Sequence, residues 1–386
     1  MYKEPKGQQI AGRVVNKVLP TPYEVFMNEQ EIPIYRGMGV YDVRQLPVKP
    51  WKRMGGRGTF IELDGQAGMY GIYLVEIPAG GALNPERHVY EEIFLVIEGR
   101  GTTEVWLDDK PKKQAFEWQP GSHFSVPLNA WHRLINGTSR PALVLVAMSA
   151  PQMINLVRNK SFVFDNPFEF SDRYDQSDDY FKPREELEPD PLTGRALLRS
   201  SLLPDIANCY LPLDNQRAPG YRWIRPRMAN NTFFGGFIAE YPSGSYSKGH
   251  FHESGAVLIC LKGKGYTYTW PVGLGPRPWE AGKADQVKVQ EYVAGGMVSA
   301  APGGGDWFHQ HFSTCKESFR VRAIIVALKR RPGEEAGDEV VIGNADIAKG
   351  GRTISYREED PQIRKNYKEA LEKEGVEMQM PESLFK

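Results

Sequence analysis

A degenerate internal repeat constrains this chain more than any other feature. IEGRGTTEVW at 97–106 is answered by LKGKGYTYTW at 261–270, and a histidine precedes each aligned glycine by the same interval, His88 before Gly99 and His252 before Gly263. Two copies of one folding unit are therefore expected, offset by the 164 residues that separate His88 from His252. The runs around these landmarks, GMYGIYLVEIPAG, EEIFLVIEG, ALVLVAM, TFFGGFIAEYPSG, AVLICLKG and FRVRAIIVAL, are short, β-branched or aromatic, and closed by Gly or Pro turns. That punctuation predicts two antiparallel barrels or sandwiches rather than helices.

The boundaries follow from this pattern. Residues 1–55 form an N-terminal extension, 56–155 the first barrel, 156–220 a linker, 221–335 the second barrel and 336–386 a tail. The linker is acidic and proline-bearing in EFSDRYDQSDDYFKPREELEPDPLTG and is expected to be a surface excursion without chemistry. The tail contains EEDPQIRKNYKEALEKEGV, where Asp360 near the start, Pro361 in the first turn and Gly375 at the end predict a helix. Its place is against a barrel or a partner subunit.

Composition removes whole classes of function. Forty-eight basic residues balance forty-eight acidic ones, so no nucleic-acid partner is implied. Three cysteines without paired spacing, Cys209, Cys260 and Cys315, fit free thiols in a reducing compartment. The first residues lack the apolar core of a secretion signal, and no run approaches the roughly 20 apolar residues of a membrane span. A cytoplasmic protein is expected.

All seven histidines fall inside the two repeats: His88, His123 and His132, then His250, His252, His309 and His311. Alternate residues of a strand share a face, so His250 and His252 stand roughly 7 Å apart on one side. Two imidazoles there chelate a metal ion if a third arrives from another segment, and DWFHQHFST supplies His309 and His311. Such nitrogen ligands suit Fe, Mn, Zn, Ni or Cu. In the first repeat, Glu86, His88 and Glu92 share a face by alternation, and with His132 they make a possible second site of two imidazoles and two carboxylates. The alternative there is a degenerate copy whose charged groups pair internally.

These residues resemble the bicupin pattern. In the second copy Gly244, His250, His252 and Gly263 fall on the first cupin block, with Ala256 at the expected Glu, while Gly296, Pro302 and Gly304 approximate the second block. In the first copy His88, Glu92 and Gly99 fall in register, Glu86 replaces the first histidine, and Gly121, Pro127, His132 and Asn136 complete the second block. The resemblance implies an all-β chain of two cupin (double-stranded β-helix, jelly-roll) barrels in tandem with a C-terminal helix. His-x-His followed by Ala, then Trp307 near His309 and His311, is similar to the gentisate-dioxygenase-like ring-cleaving members. That likeness implies Fe(II) held by His250, His252 and His309, with dioxygen and a small anionic aromatic or hydroxy-carboxylate as substrates. Three neutral imidazoles leave the ion its full charge, which favours an anionic bidentate ligand.

Further expectations attach to this second site. His311 is a candidate catalytic residue, as are Arg322, able to fork onto a carboxylate from the FRVRAIIVAL strand, and Tyr268, a possible proton donor beside Tyr266. Two other readings stay open: a non-redox bicupin (hydrolase, isomerase or decarboxylase) using Mn or Zn with Glu86 or Glu92 as acid or base, and a small-ligand-binding bicupin without turnover. A homo-oligomer is expected, with neither membrane nor nucleic acid as partner.

Overall fold

In GIYLVEI, EIFLVIE and ALVLVAM nearly every side chain is buried, which β-branched and aromatic residues achieve as central strands with both faces covered. The computed structural model describes residues 18–66, 68–108, 112–191, 193–252, 255–325 and 345–386. The first 17 residues of the N-terminal extension, the end of the FRVRAIIVAL run and the start of the tail lie outside the described residues.

The repeat is structural. In the first half Gly71–Ile77 pairs with Ala142–Met148, which pairs with Glu92–Glu98, which pairs with His123–Ser125. Phe237–Tyr241, Phe319–Ile325, Ala256–Lys262 and Met297–Ser299 follow the same order in the second half. A smaller sheet faces each: Trp131–Asn136, Gly101–Trp106 and Gln114–Trp118 in one, and a sheet containing Trp307–Ser313, Lys264–Pro271 and Lys288–Val293 in the other. The all-β expectation of two barrels in tandem holds. Gly99 and Gly263, the aligned glycines, turn each chain between sheets at φ of 92° and 76°. A Cβ at Gly99 would stand 2.4 Å from that of Ala142, and one at Gly263 2.6 Å from the sulfur of Cys315, so both positions exclude a side chain.

The two halves trade edges. Gly39–Val40, from the N-terminal extension, pairs with Met297–Ser299 of the second barrel. Leu202–Leu203, from the expected linker, pairs with His123–Ser125 of the first. Between them the outward side chains Ile238, Val257, Ile259, Met297 and Ile324 of the second barrel join the same buried cluster as the first barrel's core. Its inward residues, among them Ala256, Leu258, Val321 and Ala323, form a separate cluster.

That parity corrects one sequence expectation. Arg322 alternates with Val321 and Ala323, so it points out of the second barrel and into the seam, where its Nε donates to His123 Nε2 at 3.1 Å. It is 2% exposed and cannot reach a substrate among the second-barrel histidines. Arg320, on the same face, pairs with Glu240 at 2.8 Å and donates to the Cys209 carbonyl.

The C-terminal helix spans Pro361–Glu374, with the Asp360 side chain accepting from Gln362 N and Gly375 closing it in the left-handed region. It buries Ile363, Tyr367 and Leu371 on the outer face of the second barrel, where the Tyr367 hydroxyl donates to the Ser313 carbonyl at 2.6 Å. Among the described residues no helix is long and apolar enough to cross a membrane.

Candidate metal centres

Glu86 and His132 face each other as an antiparallel bridge across the first barrel, and His88 and Glu92 approach from the same side. The ligand atoms of these four all lie within 4.8 Å of one another, and among the described residues no other group of His, Cys, Asp or Glu converges so tightly. His88 Nε2 is 3.2 Å from Glu92 Oε2, His132 Nε2 is 3.7 Å from that oxygen and 3.8 Å from Glu86 Oε1. Adjacent ligands on a six-coordinate ion with bonds near 2.1 Å stand roughly 3 Å apart, so small inward movements would close the set.

What distinguishes this group from a buried ion-pair cluster is how its other atoms are used. His88 Nδ1 faces the Tyr90 carbonyl at 3.0 Å, and His132 Nδ1 faces the Ala130 carbonyl at 3.1 Å. A carbonyl only accepts, so Nδ1 carries a proton in each ring and Nε2 is the nitrogen turned inward, able to donate to the carboxylates when protonated and to offer a lone pair to an ion once that proton is lost. The Tyr73 hydroxyl donates to Glu92 Oε1 at 3.1 Å, and Arg53 Nη2 donates to Glu86 Oε2 at 2.6 Å. Each of the four side chains is thus tethered through one atom and presents the other to the centre. His132 Nε2 is buried and makes no hydrogen bond, its nearest polar atoms being the two carboxylate oxygens at 3.7 and 3.8 Å, a spacing that an ion between them would close.

The electrostatics agree. Burial alone would push the Glu92 carboxyl up, but the His88 and His132 imidazoles beside it hold it down to about 2, so it is an anion throughout the useful pH range. Burial likewise depresses His132, and the Glu92 and Glu86 carboxylates more than offset this, leaving it raised. Tyr90, stacked on His88 at 3.6 Å between centroids, fixes that ring's plane. Tyr73→Phe removes the tether on Glu92 while keeping the ring. It is expected to weaken metal binding about 10- to 100-fold, as measured by competition with a chromogenic chelator.

In the second barrel the corresponding places are filled by different residues. His250 pairs across strands with His309 as Glu86 does with His132. Through the pairings Phe94–Val146–Tyr73 and Leu258–Ala323–Phe237, Phe237 takes the place of Tyr73 just as Ala256 takes that of Glu92. The carboxylate and the phenol that anchors it are absent together. Ring centroids of His250 and His309 are 4.2 Å apart, those of His252 and His309 4.6 Å, and those of His250 and His252 6.3 Å. His250 and His309 direct Nδ1 to the carbonyls of Lys248 and Trp307, both at 3.1 Å. His311 differs, sharing a hydrogen bond with the Thr267 hydroxyl at 2.9 Å.

Burial, with the Arg217 cation and the neighbouring imidazoles, keeps His250 well below the ordinary histidine range, and burial and neighbouring rings do the same for His309. His311 is held down to about 3. These histidines are neutral. The tighter group is nevertheless in the first barrel, the reverse of the emphasis that histidine count alone suggests.

Tyr268 requires correction. Along its strand Thr267 and Thr269 point inward, whereas Tyr268 lies on the outer face against Phe312, Trp279 and Asn366 of the C-terminal helix. It is separated from the histidines by the sheet itself. Arg53, Tyr73, Tyr90 and Arg217 were not legible in the sequence as parts of either centre, because none lies within a metal-ligand spacing.

Residues 73–148 match the family model described as a cupin domain. No curated protein matches the chain. Among solved structures, similar folds include a SENS161-164DSSN mutant of Bacillus subtilis oxalate decarboxylase, at 9% identity and a TM-score of 0.46, covering 77% of this chain and 79% of that one. Another is the Lactobacillus farciminis oxalate decarboxylase formate complex, at 9% identity and a TM-score of 0.46, covering 74% of this chain and 85% of that one. Likeness of this degree carries no argument about chemistry.

Proposed function

We propose that this bicupin is a metal-dependent enzyme whose first barrel holds one divalent ion through Glu86, His88, Glu92 and His132, and which performs non-redox chemistry on a small carboxylate-bearing substrate. The supporting observation is the set of four side chains tied down on their far atoms, with their donor atoms converging. Two carboxylates among four ligands favour Mn(II) or Fe(II) over softer ions, with Zn(II) accommodated. The ion would supply Lewis acidity toward a substrate oxygen. With it in place, the two glutamates cancel its charge and Arg53 leaves one positive charge in excess, which favours an anionic substrate.

Within this site the two glutamates divide the work. Glu92 is 1% exposed and held by Tyr73 and His88, so it is a fixed ligand. The Glu86 side chain is 12% exposed and held only from the Arg53 side, which makes it the more accessible and more readily displaced of the two carboxylate ligands. The test is metal analysis of anaerobically purified protein, followed by a panel of small mono- and dicarboxylates assayed with and without dioxygen. Turnover without stoichiometric oxygen uptake supports the proposal. Oxygen consumed one-for-one with substrate would overturn it in favour of oxygenase chemistry.

A second reading places an iron-dependent oxygenase in the second barrel, favoured by the Nδ1 tethers and neutral state of His250 and His309. Acidification separates the two centres. Protons compete with metal for a ligand up to that ligand's own pKa. His132 is raised and the second-barrel histidines are lowered, so as pH falls the first barrel is expected to release its ion first, above the pH at which any second-barrel ion leaves. Metal retention after buffer exchange at stepped pH, compared between wild type and His252→Ala, reads this order directly.

A further inference from the structure

Strand Ala196–Arg199 lies parallel to Arg222–Arg227, and their register sets Arg199 directly beside Arg227. Like charges opposite one another on paired strands repel, and such a pair persists where something of opposite sign is recruited between them. Both arginines line a cavity of about 230 Å³, well below drug-ligand size, at the junction of the linker with the second barrel. Arg173 and Arg184 reach the same cavity from the linker.

The cations are unevenly committed. Arg173 pairs with Glu91 at 2.8 Å through one Nη. Arg184 and Arg199 pair with Asp179 and Glu188 at the rim, where all four side chains are about half exposed, so those pairs exchange for a better anion at little cost. Arg227 makes no ion pair with any described residue, and its strand neighbour Arg225 already holds Asp190 at 2.5 Å. Against the four arginines the lining has two acidic residues, Asp172 and Asp175, and one oxygen of Asp175 is occupied by the Ser177 N–H at 2.9 Å. The cavity wall is also built at a conformational cost: Ala229 and Asn230 are consecutive left-handed residues, at φ of 48° and 53°, and only the second is of a type that accepts this readily. Their turn carries the chain away from Arg227 and lets Asn230 Nδ2 donate to the Arg173 carbonyl at 3.0 Å, tying the linker to the second barrel's strand.

We propose that this cleft binds a small dianion, a phosphate group or a short dicarboxylate, with Arg227 as its central ligand and Arg199, Arg184 and Arg173 around it. Guanidinium forks carried on two paired strands and the linker around one cavity suit the several oxygens of such an anion. Its occupancy would draw together the linker and the second barrel at a place separate from both histidine centres.

Isothermal titration with inorganic phosphate and with succinate, at constant ionic strength, tests the site and identifies which anion it takes. The same titrations in His88→Ala keep any signal independent of metal in the first barrel. Saturable one-to-one binding of either anion is expected, unchanged in His88→Ala, weakened about tenfold or more in Arg227→Gln, and partly restored in Arg227→Lys, which keeps charge without the fork. Should Arg227→Gln fail to fold, the exposed pair Arg184→Gln with Arg199→Gln must show the same weakening. No saturation below about 10 mM by either anion, or equal affinity in wild type and these variants, overturns the proposal.

Discussion

If the first barrel holds the proposed ion, His88→Ala is expected to lower its affinity by at least about 100-fold and to abolish turnover, because it removes a proposed ligand rather than a group supporting one. The side chain is 2% exposed, its Nδ1 is engaged by the Tyr90 carbonyl and its ring is stacked on Tyr90, so no neighbour can swing in to replace the lost lone pair. Inductively coupled plasma measurement of metal per chain and the electron paramagnetic resonance of a Mn(II)-loaded sample check it. His252→Ala is the control, since it leaves all four first-barrel ligands intact. If His88→Ala retains a full equivalent of ion while His252→Ala loses it, the functional centre belongs to the second barrel.

Glu91→Ala has the largest expected effect on stability. This carboxylate is nearly buried where three parts of the chain meet: Oε1 takes the Arg173 Nη1 of the linker at 2.8 Å and the Thr232 N–H at 2.9 Å, and Oε2 takes the Phe233 N–H at 2.8 Å. Truncation strands a guanidinium and two backbone donors at once. Removing one partner of a buried ion pair costs about 3–5 kcal/mol, a large fraction of the stability of an ordinary domain. Urea denaturation should show the midpoint falling sharply. Glu91→Gln, which keeps an acceptor oxygen but not the charge, should fall between the two. A midpoint unchanged in Glu91→Ala would mean that the junction is hydrated and the contacts are worth little.

The architecture was legible because its signals are local and repeated. Strand runs closed by glycine, the shared spacing from His88 to Gly99 and from His252 to Gly263, and the Asp360, Pro361 and Gly375 signals each report on a few adjacent residues, and the structure follows them. Glu86, His88, Glu92 and His132 were recoverable for the same reason, since strand alternation puts the first three on one side. What alternation does not supply is which side. Tyr268 and Arg322 each occupy one of two possible parities, and only the pairing of whole strands shows that Thr267 and Val321 point inward while Tyr268 and Arg322 point out. Arg53 and Tyr73 were beyond reach on other grounds. They act through single long-range hydrogen bonds, 33 and 19 residues from their partners, and an isolated Arg or Tyr at such distances has no spacing to announce it. The acidic linker read as inert, yet it contributes Arg173 to the Glu91 junction and three arginines, Arg173, Arg184 and Arg199, to the lining of the proposed anion cleft.

The exchange of edges between the halves has a temporal meaning for a chain that is synthesised from one end. The Gly39–Val40 pair is made early but has no sheet to join until Met297–Ser299 exists, and the first barrel waits for Leu202–Leu203 before its His123–Ser125 margin is covered. Such distant pairings close large loops late and leave open hydrogen-bonding rims in the interval. A chain halted between the halves therefore carries unpaired rims, and a cut at its midpoint would leave the second barrel without the Gly39–Val40 strand that covers its Met297–Ser299 margin.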